Sequence, residues 1–222
     1  MKTLELFAGS RSFSKEAEAV GHETYTTDIN DFDGIDQVCN IFDFEPSKVP
    51  FIPNFIWASP PCYTFSVASI GHHWTGGNKA YIPKTEKAKM GIKIAQKTKD
   101  IIDYYKSINP NLLYLVENPR GVLRKLDIFD NEELKTAWYC QYGDTRAKPT
   151  DLWTNFDWNA KGCKNGNKDC HHEPAPRGSK TGTQGLKGNY ERSIVPSKLC
   201  KTIISKIETH LWRINNETKH SW

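Results

Sequence analysis

The stretch Thr3-Leu4-Glu5-Leu6-Phe7-Ala8-Gly9 is an apolar strand that runs into a turn of small residues. From Ser12 to Ala19 the pattern becomes helical, with Ser12 or Ser14 as the N-cap and acids in the first turns. A strand, a glycine-bearing turn and a helix N-terminus in that order make the usual cofactor cradle of an open α/β sheet. The next strand, His22-Glu23-Thr24-Tyr25-Thr26-Thr27, ends at Asp28. In such folds an acid at that point grips a pair of ribose hydroxyls. The expected fold is therefore α/β, a doubly wound and mostly parallel sheet with helices on both faces.

A second stretch carries chemistry. Ala58-Ser59-Pro60-Pro61-Cys62-Tyr63-Thr64-Phe65-Ser66 follows the apolar run Phe55-Ile56-Trp57. Proline fixes its own φ and drives the residue before it toward extended backbone, so this segment cannot drift into a helix. Cys62 is thus held at the tip of a buried strand. It reads either as a nucleophile, active once its thiolate forms, or as a buried structural cysteine.

Composition bounds the answer. The 222 residues suit one α/β domain with a small appendage, long enough for a proper core. The formal charge of +4 and the isoelectric point near 8.6 are compatible with a phosphate-bearing partner and also with many ordinary enzymes. No export signal or long apolar span is visible, and six cysteines without a leader argue for reduced thiols in a cytoplasmic protein. A monomer is expected.

Taken in order, six segments resemble the DNA cytosine-5 methyltransferases. Phe7-Ala8-Gly9 is similar to that family's first motif and Asp28 to the acid of its second. Cys39-Asn40-Ile41 falls at the adenine-contacting third, and Pro61-Cys62 with Phe65-Ser66 resembles the nucleophile motif. Glu117-Asn118, after the strand Leu112 to Val116, is similar to the Glu-Asn motif. Gly188-Asn189, Val195-Pro196 and the helical segment Lys198 to His210 resemble the last motif, which returns to the cofactor pocket. There are departures: Ser10, Arg11 and Ser12 stand where further glycines are usual, and Asn40 replaces an aspartate. Tyr63 replaces a glutamine. Counting from Gly143, Arg146 falls at a glutamine position, Lys148 at the first arginine of a basic motif and Thr150 at the second.

The resemblance implies a Rossmann-like fold that binds S-adenosylmethionine, and methylation of carbon 5 of cytosine in DNA through a covalent adduct to Cys62. By this resemblance Phe7, Ala8, Gly9, Ser10, Ser12, Asp28, Ile29, Asn40, Ile41, Pro60 and Asn189 hold the cofactor. Cys62 and Glu117 act on the base, and Arg146 or Lys148 steadies its carbonyl oxygen or a phosphate. The target cytosine must leave the duplex to be reached. An amine methyltransferase acting on cytosine N4 or adenine N6 is a rival, because Ser59-Pro60-Pro61 partly mimics its motif. A non-catalytic DNA-binding accessory protein is another, favoured if Arg11 blocks the cradle.

Three parts are expected: a catalytic domain over 1–158, a short target-recognition insertion over 159–187, and a returning segment over 188–222. Residues Ile70 to Thr85, with His72, His73, Trp74 and Tyr81, form a glycine-rich loop after the nucleophile. Glu86 to Ile108 places Ile94, Ile101, Ile102 and Tyr105 on one helical face. Within the insertion, Arg177, Lys180 and Lys187 suit phosphates. Cys163, Cys170, His171 and His172 read either as a zinc cluster stapling a loop too small for its own core or as free residues on a polar loop. The spacing matches no standard finger and a fourth ligand is not evident unless both histidines bind, so no metal site is assigned.

Overall fold

The computed structural model describes residues 1–77, 80–164, 166–173, 186 and 188–217. Arg177, Lys180 and Lys187 lie outside the described residues. Strands β1 (Lys2–Leu6), β2 (Glu23–Asp28), β3 (Gln37–Val38), β4 (Phe55–Ala58), β7 (Leu113–Pro119), β8 (Glu133–Trp138) and β9 (Pro149–Thr154) form one sheet in the order β3-β2-β1-β4-β7-β9-β8. Every neighbouring pair out to β7 is parallel, whereas β9 runs antiparallel to both β7 and β8. One reversed strand in seven makes this the mostly parallel α/β sheet that the sequence predicts.

Alternation along the central strands explains the layering, since successive side chains point to opposite faces. Ile56 and Ala58 of β4 join Leu4, Leu6, Tyr114 and Val116 in one core, under helix α3 (Glu86–Ile108) with its Ala88, Ala95, Ile101, Ile102 and Tyr105. Phe55 and Trp57 join Leu113 and Leu115 in the other core. That face is covered by α1 (Ser12–Glu18) through Phe13 and Ala17, and by α5 (Ser197–Glu217) through Leu199, Cys200, Ile203 and Ile207. Burial on both faces is why these strands read as continuous apolar runs. The helix expected at Glu86 to Ile108 forms over that span, and Thr85 caps it by accepting from the Ala88 amide at 3.2 Å.

The start of α1 differs from expectation. Neither serine caps it, and its first turn holds no acid; Arg11 precedes it in a left-handed conformation with φ 54°. The cap comes instead from the sheet: buried Glu5 accepts from the Ser14 amide at 2.8 Å and the Phe13 amide at 3.4 Å. Burial pushes the Glu5 carboxyl up to about 7, against the lowering effect of these donors.

The segment after Cys62 is more built than a plain loop. It contains a one-turn helix α2 (Ile70–His73) and a hairpin of β5 (Trp74–Thr75) with β6 (Ile82–Pro83). Trp74 Nε1 donates to the Thr64 carbonyl at 2.6 Å, and His73 Nδ1 lies 2.7 Å from Thr85 Oγ1. His73 is therefore spent on anchoring, while His72 stays exposed. The last elements are α4 (Asn189–Ser193) and α5, which starts one residue before the expected helix and runs seven beyond it (Ser197 against Lys198, Glu217 against His210). Among the described residues no helix is long and apolar enough to cross a membrane.

Candidate active site

The site gathers at the C-terminal edge of the parallel strands, beside the switch between β1 and β4, where open α/β sheets bind ligands. β4 and β7 pair with Ala58 opposite Val116, so the segment leaving β4 runs beside Glu117 and Asn118. Buried Asn118 donates from Nδ2 to the Pro60 carbonyl at 2.9 Å. Farther along, Val122 N donates to the Phe65 carbonyl at 2.8 Å and Ser66 bridges Gly121. A Cβ on Gly121 would sit 2.1 Å from the Phe65 carbonyl oxygen, so only glycine permits this approach. The Pro60-Pro61-Cys62 turn is thereby sewn to the end of β7 on both sides. The Cys62 carbonyl accepts from the Phe65 and Ser66 amides at 3.0 and 3.1 Å, which closes the turn.

Cys62 is partly buried, and burial pushes its thiol up. Lys148 opposes this by favouring the thiolate, and Glu117 adds to it by disfavouring a second negative charge. The three side chains are thus electrostatic neighbours. Glu117 is only 6% exposed and is gripped from two directions. Tyr139, from the turn after β8, donates its hydroxyl to Glu117 Oε1 at 3.0 Å. Lys148 Nζ stands 4.0 Å from the same oxygen and 4.6 Å from the centre of the Tyr139 ring. Nothing in the local sequence marks Tyr139, because antiparallel pairing through β9 is what brings it here.

Arg146 is placed differently. Its Nε is held by both Asp144 oxygens at 2.9 and 2.8 Å, and Nη2 also bonds Asp144. The remaining donors reach the carbonyls of Glu191, Arg192 and Ile194 at 3.4, 3.3 and 3.0 Å. With five donors committed and 5% exposure, Arg146 fastens the returning segment to the sheet and has no donor left for a base. Of the two cations that the sequence offered, Lys148 is the one beside Cys62 and Glu117.

The other half of the edge is the turn after β1. Phe7, Gly9 and Arg11 all take positive φ, 59°, 46° and 54°, which winds the chain tightly between Ala8 and Ser12. Gly9 N donates to Asp28 Oδ2 at 3.0 Å, and Asp28 Oδ1 accepts from the Asn30 amide at 2.9 Å. Ser10 and Ser12 hydroxyls are 2.6 Å apart, and Ser12 Oγ accepts from Val195 N at 3.1 Å, tying the returning segment to the cradle. Ile29 beside Asp28 is 64% exposed, an apolar face in the open. Asn40 accepts from the Phe42 amide at 3.1 Å. Ile41 is buried in the α3-side core, so its part is to support Asn40. Asn189 opens α4. Arg11 pairs with Glu18 and lies against Gly34, which folds its guanidinium back along α1.

No family model matches the sequence. Structural likeness is weak: a methyltransferase of Entamoeba histolytica, EhMeth, has a TM-score of 0.47 at 14% identity, covering 74% of this chain and 57% of that one. The Dnmt2 methyltransferase of S. pombe has a TM-score of 0.45 at 15% identity, covering 72% of this chain and 51% of that one. The chain thus spans little more than half the length of these two proteins. Sequence similarity is more direct. The probable DNA (cytosine-5)-methyltransferase of Frog virus 3 (isolate Goorha) is 30% identical over 165 residues, which cover 71% of this chain and 72% of the viral one. On that relationship, the chain belongs to the DNA (cytosine-5)-methyltransferase family.

Proposed function

We propose that this chain methylates carbon 5 of cytosine in DNA, with Cys62 as covalent nucleophile and S-adenosylmethionine as methyl donor. The observation that carries the reading is the meeting of Cys62, Glu117 and Lys148 at one sheet edge, with Asn118 clamping the nucleophile turn. Carbon 5 of cytosine is a poor nucleophile by itself. The Cys62 thiol gives up its proton to solvent, the thiolate bonds carbon 6 as the carbon 5–carbon 6 π bond opens, and N3 takes up a proton, which turns carbon 5 into the nucleophilic end of an enamine. Glu117 hydrogen-bonds the N3 side and exocyclic amine of the ring, and Lys148 stabilises the thiolate and the charge that develops on the base. After methylation the carbon 5 proton leaves to a base, the carbon–sulfur bond breaks to expel the thiolate, N3 gives up its proton, and a proton from solvent restores the thiol. S-adenosylmethionine, when bound, supplies the electrophilic methyl group.

The cradle suits that donor. We assign the ribose hydroxyls to Asp28 at the end of β2, the adenine to exposed Ile29, and the methionine portion to the positive-φ turn from Phe7 to Ser12 that Asp28 holds through the Gly9 amide. Folding back of Arg11 speaks against the accessory-protein reading, for which Arg11 would have to fill the cradle. The target cytosine is flipped from the duplex to reach Cys62. We assign 1–158 to catalysis and 159–187 to target reading, and the Val195 amide, bonded to Ser12 Oγ, brings the returning segment to the cofactor side. The six free cysteines suit a reducing, cytoplasmic setting.

Nucleoside mass spectrometry and bisulfite sequencing of DNA from cells that make the protein test the reading. The expected result is 5-methylcytosine in a repeated sequence context, absent from cells that make the Cys62→Ser form. N4-methylcytosine or N6-methyladenine instead would transfer the chain to the amine methyltransferases.

A further inference from the structure

We propose that Cys140, Cys163, Cys170 and His172 form a structural zinc site that staples the 159–173 segment to the end of β8. One donor atom from each residue lies within 4.8 Å of all the others. Tetrahedral zinc with ordinary thiolate and imidazole bonds sets its donors roughly 3.6–3.8 Å apart. Cys163 Sγ and His172 Nδ1 are already 3.9 Å apart, so a small inward movement of side chains completes the geometry. Three sulfurs and one imidazole are a zinc donor set, with no carboxylate or hydroxyl that would favour a harder ion.

The fourth ligand is the one that sequence spacing conceals. Cys140 lies far upstream, in the turn Tyr139–Tyr142 after β8, and is 1% exposed. The turn presents its thiol to the segment that carries the other three ligands. His172, rather than exposed His171, is the ligating neighbour.

Two further observations point the same way. Among the described residues of 159–173 only His172 is buried, so this segment has no apolar core of its own to hold it on the domain. Amide donors also aim at two of the sulfurs: Gln141 Nε2 lies 3.4 Å from Cys170 Sγ, and Asn167 Nδ2 lies 3.6 Å from Cys163 Sγ. Such donors orient and stabilise metal-bound thiolates. The consequence reaches the base-modifying site, because Tyr139, which holds Glu117, is the residue before Cys140. The metal locks the position of the 159–173 segment relative to that carboxylate.

The test uses the full chain, purified with reductant from zinc-supplemented cells, with metal content measured by mass spectrometry. About one zinc per chain is expected. Cobalt exchanged into the site should show thiolate charge-transfer bands and the intense visible bands of a tetrahedral centre. Cys163→Ser and Cys170→Ser, whose positions are more exposed than Cys140, should lose stoichiometric zinc while their circular dichroism stays folded. His171→Ala should keep it. Stripping the metal should open the 159–173 segment to limited proteolysis. A reduced, folded chain that carries no zinc and takes up none from zinc-buffered solution overturns the proposal. So does zinc that survives both serine substitutions, or the recovery of two of these thiols as a disulfide that excludes metal.

Discussion

Replacing Tyr139 by phenylalanine removes one atom from the candidate active site and leaves its shape intact. The Tyr139 hydroxyl donates to Glu117 Oε1 at 3.0 Å in a region where Tyr139 has no exposed surface. Burial first, and then the nearby Glu117 charge, push the phenol well above its ordinary value, so the hydroxyl keeps its proton and donates throughout any working pH. A hydrogen bond to a charged group contributes about 1.5–3 kcal/mol. No cavity forms, because the ring is retained. If Glu117 must face the cytosine N3 edge in the transition state, losing this support lowers single-turnover methylation by roughly ten- to a hundredfold, at about 1.4 kcal/mol per factor of ten. Lys148, 4.0 Å from the same oxygen, keeps the loss from being complete. S-adenosylmethionine affinity should not change, since Tyr139 lies on the base side of the edge. Parental methylation by a folded Tyr139→Phe protein would show that Glu117 is neither positioned by Tyr139 nor used on the base.

Cys62→Ser should abolish methylation while cofactor binding, measured by calorimetry, stays near the parent value. A residual rate of a tenth or more, equivalent to about 1.4 kcal/mol or less, would remove the covalent step. Lys148→Met should raise the midpoint of Cys62 alkylation against pH, because this cation favours the thiolate; an unchanged or lowered midpoint would contradict that electrostatic role. Glu5, raised from 4.5 to about 7, binds its proton more tightly when folded than when unfolded. Its contribution is therefore fully present below about pH 4.5 and is lost as pH rises through 7, on the order of 3 kcal/mol. Urea unfolding of Glu5→Gln should lack that decline, and an identical pH slope in both proteins would refute it.

The fold was readable because its strands and helices announce themselves by period. Phe55-Ile56-Trp57 and Leu112 to Val116 are apolar on both faces, and Ile101, Ile102 and Tyr105 repeat at helical spacing; these are local patterns that tertiary contacts reinforced. The cap of α1 was not readable, since the acceptor is a strand residue that meets the helix only after folding. Arg146 illustrates the limit of counting along a motif. The count places it at a motif position, but Asp144 two residues earlier turns its guanidinium toward the carbonyls of Glu191, Arg192 and Ile194. Lys148 and Tyr139 meet Glu117 only because β9 inserts antiparallel between β7 and β8. Cys140 is hidden in the sequence for the same reason: it lies in the turn after β8, away from the polar stretch that carries Cys163, Cys170 and His172.

The central claim is that Cys62 attacks carbon 6 of a cytosine, and covalent trapping tests it most directly. Fluorine at carbon 5 cannot leave as a proton does, so after methyl transfer the enzyme should remain bonded to the base. Once bisulfite sequencing has defined a methylated context, a duplex carrying 5-fluorocytosine at that position should give a denaturation-resistant protein–DNA adduct. Its formation should require both S-adenosylmethionine and the Cys62 thiol, and peptide mapping should place the link on Cys62. An enzyme that methylates the ordinary duplex and never traps on its fluorinated counterpart would contradict the account and leave Cys62 a structural residue.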